Sequence, residues 1–229
     1  MDQARIAELL QPYLGADIDQ RLTTNDLHSI SIYIDLLQRW NARINLTAIR
    51  NEEEIVTRHF GESLFAARRL FPLCSSVPSV AKGLEVADVG SGAGFPGIPI
   101  KLWAAQISLT LIESNHKKAT FLGEVTRALT LTDVNIKNDR AEALAGLTFE
   151  VVTLRAVERF NSILPVAARL VAPGGRLALL IGSAQYESAQ AALPSFTWQD
   201  PLPIPGSQSR IVAIGKRPQQ AESRDKDDR

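Results

Sequence analysis

The feature that most constrains the fold is a glycine-rich segment, Asp88-Val89-Gly90-Ser91-Gly92-Ala93-Gly94-Phe95-Pro96-Gly97. It follows an apolar stretch at residues 84–89 that predicts a strand, and it precedes residues 98–105, which predict a helix. Glycines at such a junction let the backbone approach a ligand closely, and the first turn of the helix offers free N–H groups. A plain turn needs only one or two glycines, so the segment predicts a ligand-binding loop.

The chain after this loop continues to alternate between strands and helices. Apolar stretches predict strands over residues 108–113, 134–137, 151–154 and 176–181, and helical patterns lie over residues 117–129, 162–170 and 184–192. Pro173-Gly174-Gly175 predicts the turn that leads into the strand at residue 176. Strands that alternate with helices predict a parallel sheet with helices on both of its faces.

Both ends of the chain depart from this alternation. Ile30, Tyr33, Ile34 and Leu37 recur at helical spacing within a first region that looks helical as far as about residue 69. A proline-rich connection at residues 201–206 is too short for a crossover helix, so the last strand is expected to run antiparallel at the sheet edge.

We therefore predict a Rossmann-like α/β domain over residues 84–217. A helical extension and linker precede it at residues 1–83, and a polar, disordered tail follows at 218–229.

The glycine spacing fits two cofactor families. Gly92, Gly94 and Gly97 satisfy the G-x-G-x-x-G pattern of dinucleotide-binding loops, whereas Gly90, Gly92 and Gly94 satisfy the G-x-G-x-G pattern typical of S-adenosylmethionine enzymes. Asp88 favours the second family, because a carboxylate at the strand end would repel a pyrophosphate but attract the ammonium and sulfonium groups of adenosylmethionine. The antiparallel last strand also favours it, since dinucleotide folds are usually parallel throughout their core.

An acidic residue ends the second predicted strand. Glu113 lies about 20 residues after the loop, where an acid hydrogen-bonds ribose hydroxyls in both cofactor families. It therefore supports nucleoside binding without choosing between the two cofactors.

The charge balance limits how the chain could bind nucleic acid. Lysine and arginine number 25 together and aspartate and glutamate also number 25, so contact with RNA would need a local patch. Six arginines and Trp40 in the first 69 residues could form one, although nearby glutamates dilute it and a solvated helical cap is an equal alternative. The six are Arg39, Arg43, Arg50, Arg58, Arg68 and Arg69.

Other features bear on compartment and metals. Cys74 is the only cysteine, so no internal disulfide can form, which fits a reducing compartment. The sequence shows no signal peptide and no apolar run long enough to span a bilayer, so we expect a soluble, cytoplasmic protein without a membrane partner. His59 and His116 are not at metal-ligand spacing, and no metal is expected.

At this point the sequence resembles a known family. The run Asp88 to Pro99 is similar to the signature of the bacterial 16S ribosomal RNA guanine-N7 methyltransferases, the RsmG family, also called glucose-inhibited division protein B or GidB. Its Phe-Pro-Gly-Ile-Pro portion is more specific than the glycines. The likeness covers roughly residues 35–216, and one departure is Glu62, where many relatives carry aspartate. Further matching segments are Trp40-Asn41-Ala42-Arg43-Ile44-Asn45-Leu46-Thr47-Ala48-Ile49, Arg58-His59-Phe60, Arg155-Ala156 and Pro173-Gly174-Gly175.

The resemblance implies a class I S-adenosylmethionine-dependent methyltransferase with a mostly parallel seven-stranded sheet and an antiparallel C-terminal strand. It implies that Ala141 and Glu142 hold the adenine end of the cofactor, and that Arg155, the expected catalytic residue, faces the methionine end and the substrate. The complete expected cofactor site comprises Asp88, Gly90, Gly92, Gly94, Phe95, Glu113, Ala141, Glu142 and Arg155.

The implied reaction is methyl transfer to N7 of a specific guanine in 16S rRNA, free or within the small ribosomal subunit, by a chain expected to be a monomer. Guanine N7 has an in-plane lone pair and no proton, so positioning can suffice without a general base. The segment Thr153-Leu154-Arg155-Ala156 lacks the Asn/Asp-Pro-Pro-Tyr/Phe motif of amino-group methylation. Pyrimidine C5 methylation usually needs a cysteine nucleophile, and Cys74 is a poor candidate because it lies in the predicted linker, outside the sheet.

Three alternatives remain open from the sequence. The first is a methyltransferase that acts on a small molecule or on another macromolecule, against which the Asn-Leu-Thr-Ala-Ile likeness argues. The second is a nicotinamide-dependent oxidoreductase, against which Asp88 and the lack of an evident hydride-transfer site argue. The third is a cofactor-binding module without activity, which the intact Asp88, glycines and Arg155 disfavour.

Overall fold

One central sheet organises the chain. The computed structural model describes residues 1–15, 22–72, 83–156 and 159–219. The strands are β1 (Glu85–Val89), β2 (Ser108–Ile112), β3 (Val134–Lys137), β4 (Phe149–Arg155), β5 (Val171–Gly182), β6 (Thr197–Trp198), β7 (Leu202–Pro203) and β8 (Arg210–Lys216). They lie in the order β3-β2-β1-β4-β5-β8-β6, and β7 pairs with β8.

Helices cover both faces of this sheet. The α-helices are α1 (Gln3–Leu14), α2 (Thr24–Asn41), α3 (Glu52–Glu54), α4 (Glu62–Leu70), α5 (Gly97–Trp103), α6 (His116–Ala128), α7 (Phe160–Arg169) and α8 (Tyr186–Ala192). A π-helical segment, Ile55–Gly61, joins α3 to α4 without a break. Short 3₁₀ turns span Ala141–Leu144 and Ser183–Gln185.

The predicted mostly parallel sheet with an antiparallel C-terminal strand is confirmed. Strands β1 to β5 pair in parallel, and β8 runs antiparallel to β5 from Arg176↔Lys216 to Gly182↔Arg210. Two details differ from the prediction. Strand β8 lies between β5 and β6 rather than at the edge, and the two-residue β7 raises the count within the described residues from seven to eight.

The predicted turn at Pro173-Gly174-Gly175 is wrong. Strand β5 runs through these residues. Phe149 of β4 pairs with Val171 and Val151 pairs with Arg176, so an advance of two residues along β4 corresponds to five along β5. Gly174 takes a φ of +75°, a conformation that glycine adopts without strain, so the extra residues bulge out while the strand continues.

The N-terminal helices share a hydrophobic core with the sheet. One cluster of buried side chains unites Ile6 of α1 and Ile30 of α2 with Val86, Val151 and other residues on one face of the sheet. A second cluster fills the other face beneath α7 and α8. The division predicted at residue 83 stays a prediction, and the described residues on either side of it share one hydrophobic core.

Local sequence explains how the extension is assembled. Thr23 and Asp26 form a capping box that starts α2, in which each side chain accepts a hydrogen bond from the other residue's backbone N–H. Helix α1 packs its Tyr13 ring against the π-helical segment at Gly61, where an added Cβ would lie 2.6 Å from the ring. A side chain at position 61 would therefore push α1 away.

Tyr33 of α2 connects the extension to the glycine loop. Its ring stacks on Phe95 with 5.2 Å between centroids and meets Phe60 edge-on, also at 5.2 Å. Its hydroxyl donates a hydrogen bond to the backbone carbonyl of Ala93. Tyr33 is fully buried, so the extension holds the loop through both apolar contact and a hydrogen bond.

We expect Tyr33→Ala to lower the free energy of unfolding by about 3–5 kcal/mol, because it removes a buried aromatic ring and leaves a cavity. Tyr33→Phe keeps the ring and loses only the bond to the Ala93 carbonyl, so its cost should be about 1–2 kcal/mol. Urea unfolding of both variants tests this. Equal losses in the two variants would contradict a packing role for the ring.

Candidate functional site

The glycine loop lies at the carboxyl end of β1 and takes backbone conformations that only glycine adopts readily. Gly90, Gly92 and Gly94 have φ values of +68°, +56° and +87°. An added Cβ on Gly94 would lie 2.7 Å from the Ile98 side chain and would collide with the Tyr33 hydroxyl. Gly94 is therefore required by packing, whereas Gly90 is exposed.

Asp88 lies beneath this loop and holds it to the sheet. Its side chain is 1% exposed. Thr153 Oγ1 of β4 donates to Asp88 Oδ1 at 2.7 Å, and the Gly97 backbone N–H at the start of α5 donates to Oδ2 at 3.2 Å. Burial raises the pKa of Asp88 from 3.8 to about 6, although these hydrogen bonds oppose the rise. The Asp88 side chain thus connects β4 to the start of α5, and its pKa of about 6 lies close to neutral pH.

Glu113, which directly follows β2, forms the other wall of the loop. Its Oε2 accepts from the Gly92 backbone N–H at 2.8 Å, and its Oε1 accepts from the Asn115 N–H at 2.7 Å. The glutamate is 7% exposed. Each oxygen has further lone pairs, so Glu113 fixes the loop and can still accept from a ligand hydroxyl.

A cavity of about 340 Å³ opens at this edge of the sheet, and we call it the edge cavity. Gly90 and Ile112 line it at the ends of β1 and β2, and Ala141 and Glu142 line it after β3. Ser114, Asp139 and Ile163 complete a mixed polar and apolar wall, together with Arg159 at the start of α7. Its size falls within the range of small-molecule sites, roughly 300–1,000 Å³.

Phe95 faces the N-terminal extension, away from the edge cavity. Besides Tyr33, its ring stacks on His59 at 4.7 Å and meets Phe60 edge-on at 5.1 Å. Burial and the nearby guanidinium groups lower the pKa of His59 to about 3, so this imidazole is neutral at physiological pH. The aromatic contacts of the Phe95 ring are thus all with residues of the extension.

Arg155 at the end of β4 also turns towards the extension. Its Nη2 donates to the Arg58 backbone carbonyl at 2.6 Å and to Glu62 Oε2 at 3.3 Å. Arg210 Nη2 at the start of β8 lies 2.7 Å from Glu62 Oε1. Burial raises the pKa of Glu62, which is 2% exposed, and the charges of the three arginines oppose that rise. We call Glu62, Arg155 and Arg210 the ion cluster.

The structure therefore divides the expected cofactor residues into three groups. Gly90, Ala141 and Glu142 line the edge cavity. Gly92, Gly94, Asp88 and Glu113 shape the loop beside it. Phe95 and Arg155 contact the N-terminal helices.

Sequence reasoning missed Glu62, Thr153 and Arg210. The alternation of side chains along β4 puts Thr153 on the same face as Arg155, which was a usable signal. The pairing of Glu62 with Arg210, which are distant in the chain, left no local signal.

The N-terminal residues considered for RNA contact are largely engaged within the protein. Trp40 packs against Phe121, and its Nε1 donates to Glu124 Oε2 at 3.0 Å. Arg50 donates to the Asn41 backbone carbonyl, and Arg58 pairs with Glu54 on the surface. The Trp40 ring is thus a packing element between α2 and α6.

Parts of the sequence-based prediction fall outside the described residues. These are Cys74, most of the expected linker, and the tail beyond Gln219. No helix within the described residues is long and apolar enough to cross a membrane.

Comparison with known sequences identifies a family. The family described as rRNA small subunit methyltransferase G (GidB) matches residues 26–201. Ribosomal RNA small subunit methyltransferase G of Xylella fastidiosa (strain 9a5c) is 36% identical over 91% of this chain and 98% of its own length. The protein of the same name from Stenotrophomonas maltophilia (strain K279a) is 41% identical over 76% of this chain and 78% of its own.

Solved structures agree on the fold alone. A ribosomal protein L11 methylase from Lactobacillus delbrueckii subsp. bulgaricus matches 70% of this chain and 79% of its own, with a TM-score of 0.55 and 19% identity. A SAM-dependent O-methyltransferase from Thermotoga maritima matches 70% of this chain and 66% of its own, with a TM-score of 0.54 and 15% identity. The class I methyltransferase fold expected from the sequence is confirmed.

The ion cluster predicts a large difference between two glutamate substitutions. Glu62→Gln removes the anion from a buried site with two guanidinium groups, so we expect the free energy of unfolding to fall by about 3 kcal/mol. Glu54→Gln is the matched control, because it breaks an exposed pair with Arg58 that contributes less than about 1 kcal/mol. Glu62→Asp keeps the charge and should lose less than Glu62→Gln. Urea unfolding measures all three, and similar losses at positions 54 and 62 would contradict the assignment.

Proposed function

The chain belongs to the rRNA small subunit methyltransferase G family, and we propose that it transfers the methyl group of S-adenosylmethionine to N7 of one guanine in small-subunit ribosomal RNA. The observation that carries this proposal is the edge cavity, which adjoins the glycine loop at the carboxyl end of the sheet. In open α/β sheets, ligands bind at this edge, where the strand order reverses between β1 and β4.

The residues present fit adenosylmethionine. Ile112, Ala141 and Ile163 offer apolar surface to an adenine ring, and Glu113 keeps lone pairs for ribose hydroxyls. Gly90 lets the backbone come close to the methionine part of the cofactor. Asp88, below the loop, supplies negative charge near a ligand that carries two positive groups. A pyrophosphate would find two buried carboxylates beside this loop, which disfavours a dinucleotide.

Methyl transfer to guanine N7 requires the protein mainly to position the methyl donor and the guanine. Adenosylmethionine, when bound, supplies an electrophilic methyl group on a sulfonium. Guanine N7 carries a free lone pair and no hydrogen, so no side chain has to remove a proton before attack. His59 is neutral and has its Nε2 2.8 Å from Thr47 Oγ1, which suits a packing role. We assign no residue of the site to proton transfer.

Arg155 is proposed to act at the border between cofactor and RNA. It ends β4, one strand from β1, and the ion cluster fixes its guanidinium against Glu62. A fixed guanidinium there can donate hydrogen bonds to the carboxylate of the cofactor or to O6 of the guanine. We further propose a cytoplasmic monomer, whose RNA substrate is free or assembled into the subunit.

Methyl incorporation tests the proposal. Small-subunit RNA from cells that lack the activity, free or as subunits, is incubated with labelled adenosylmethionine, digested and examined by mass spectrometry. We expect N7-methylguanosine at one site. Gly90→Val, whose branched side chain would enter the edge cavity from a position with φ of +68°, should abolish it. Labelled product of another kind, or none with wild-type protein that binds adenosylmethionine, would refute the assignment.

Asp88 predicts a pH dependence of cofactor binding. Its carboxyl group has a pKa of about 6 in the folded protein, so lowering the pH below 6 protonates it and removes the charge that attracts the sulfonium and ammonium groups. We expect the Kd for adenosylmethionine to rise about tenfold between pH 8 and pH 5.

Calorimetric titration measures this dependence, and Asp88→Asn is the control because it cannot titrate. His59 does not interfere, since its pKa lies near 3. A wild-type Kd that stays constant over this range would show that the charge of Asp88 does not contribute to binding.

A further inference from the structure

A second cavity, of about 480 Å³, lies beside the edge cavity and has no role in the proposed cofactor site. It lies between the start of α7 and the turn that leads into α8. We call it the side cavity, and its polar lining comprises Arg159, Asn161, Ser162, Gln185 and Ser188. Arg159 also borders the edge cavity, so the two cavities are neighbours that share this residue.

The side cavity presents two side-chain amides, and the orientation of one is fixed. The Gly182 backbone N–H donates to Gln185 Oε1 at 3.1 Å, which requires the oxygen of that amide to face the backbone. Ser188 Oγ donates to Asn161 Oδ1 at 3.4 Å. Within the described parts of the chain, neither amide NH₂ group has a hydrogen-bond partner. Both are therefore available to donate to a ligand.

This lining suits a nucleotide. Base edges carry carbonyl and ring-nitrogen acceptors that amide NH₂ groups recognise, and Arg159 can pair with a phosphate. Single-stranded RNA is read in this way, through splayed-out bases held by side chains on an exposed surface. The acceptor of the methyl group must come close to the bound cofactor, so a nucleotide next to it is within reach of the neighbouring side cavity.

We propose that the side cavity binds the nucleotide next to the methylated guanine, and that Gln185 reads its base. This inference rests on the proposed function. The flanking nucleotide fits better than the target guanine, because the side cavity shares only Arg159 with the cofactor site and is otherwise lined by different residues. The cavity therefore contributes sequence preference, while the edge cavity contributes the methyl donor.

The test measures coupling between protein and RNA substitutions. Gln185→Ala is compared with Gln190→Ala. Gln190 is an exposed glutamine of α8 whose side chain bonds only to Tyr186 among the described residues, and it lies outside the cavity. Each protein is assayed with the RNA form that the wild type methylates, in which the nucleotides on either side of the target are replaced one at a time. The readouts are kcat/KM for RNA and the Kd for adenosylmethionine.

We expect one flanking replacement to lower kcat/KM of the wild type about tenfold, and Gln185→Ala to lower it about as much on native RNA. Gln185→Ala and that RNA replacement together should lower kcat/KM no more than either change alone, because both remove the same contact. Gln190→Ala should behave as wild type. The Kd for adenosylmethionine should change less than about twofold in both variants, which also shows that they are folded.

Asn161→Ala provides a second, independent variant with the same expected loss. Wild-type kcat/KM in both Gln185→Ala and Asn161→Ala, or losses that multiply with every RNA replacement, would overturn the inference and leave the proposed function intact. If the wild-type protein methylates no guanine in either RNA form, the inference falls together with the proposed function.

Discussion

A buried carboxylate holds this site together. Asp88 joins the end of β1, the first turn of α5 and β4, because its two oxygens accept from Gly97 and Thr153. Without those bonds, the start of α5 would lose its connection to the Asp88 side chain, and the loop would depend on other bonds, such as the one from the Gly92 N–H to Glu113. Burial makes the charge of Asp88 unfavourable, as its raised pKa shows. A positively charged ligand would relieve that cost, so loop geometry and ligand preference come from one side chain.

The N-terminal helices are part of the site's construction. Tyr33 and His59 pack on both sides of Phe95, and Glu62 pairs with Arg155 and Arg210 from two different strands. The glycine loop and the end of β4 are thus held from outside the sheet. The extension therefore supplies a rigid backing for the loop and for Arg155.

The sequence predicted most of the fold, because strand and helix patterns are local. Strand β3 was placed correctly, and the antiparallel β8 followed from the short connection before it. The predicted turn before residue 176 was wrong because a glycine can also make a bulge. Within the site, the local spacing indicated the glycine loop and Glu113, whereas Ala141 and Glu142 came from the resemblance to the family. The direction of Phe95 and Arg155 depends on helices packed from elsewhere in the chain, which residue spacing does not encode.

The π-helical segment at Ile55–Gly61 has a consequence for how this protein can vary over evolutionary time. It winds more widely than an α-helix, so it holds about one residue more than an α-helix with the same number of turns. Deleting one residue there would leave α3 and α4 close to their present register, whereas deleting one residue within α4 would rotate the parts on either side by about 100°. A length change of one residue therefore disturbs the extension less in this segment than in the α-helix that follows it, and its cost falls on the contacts of Arg58 and His59.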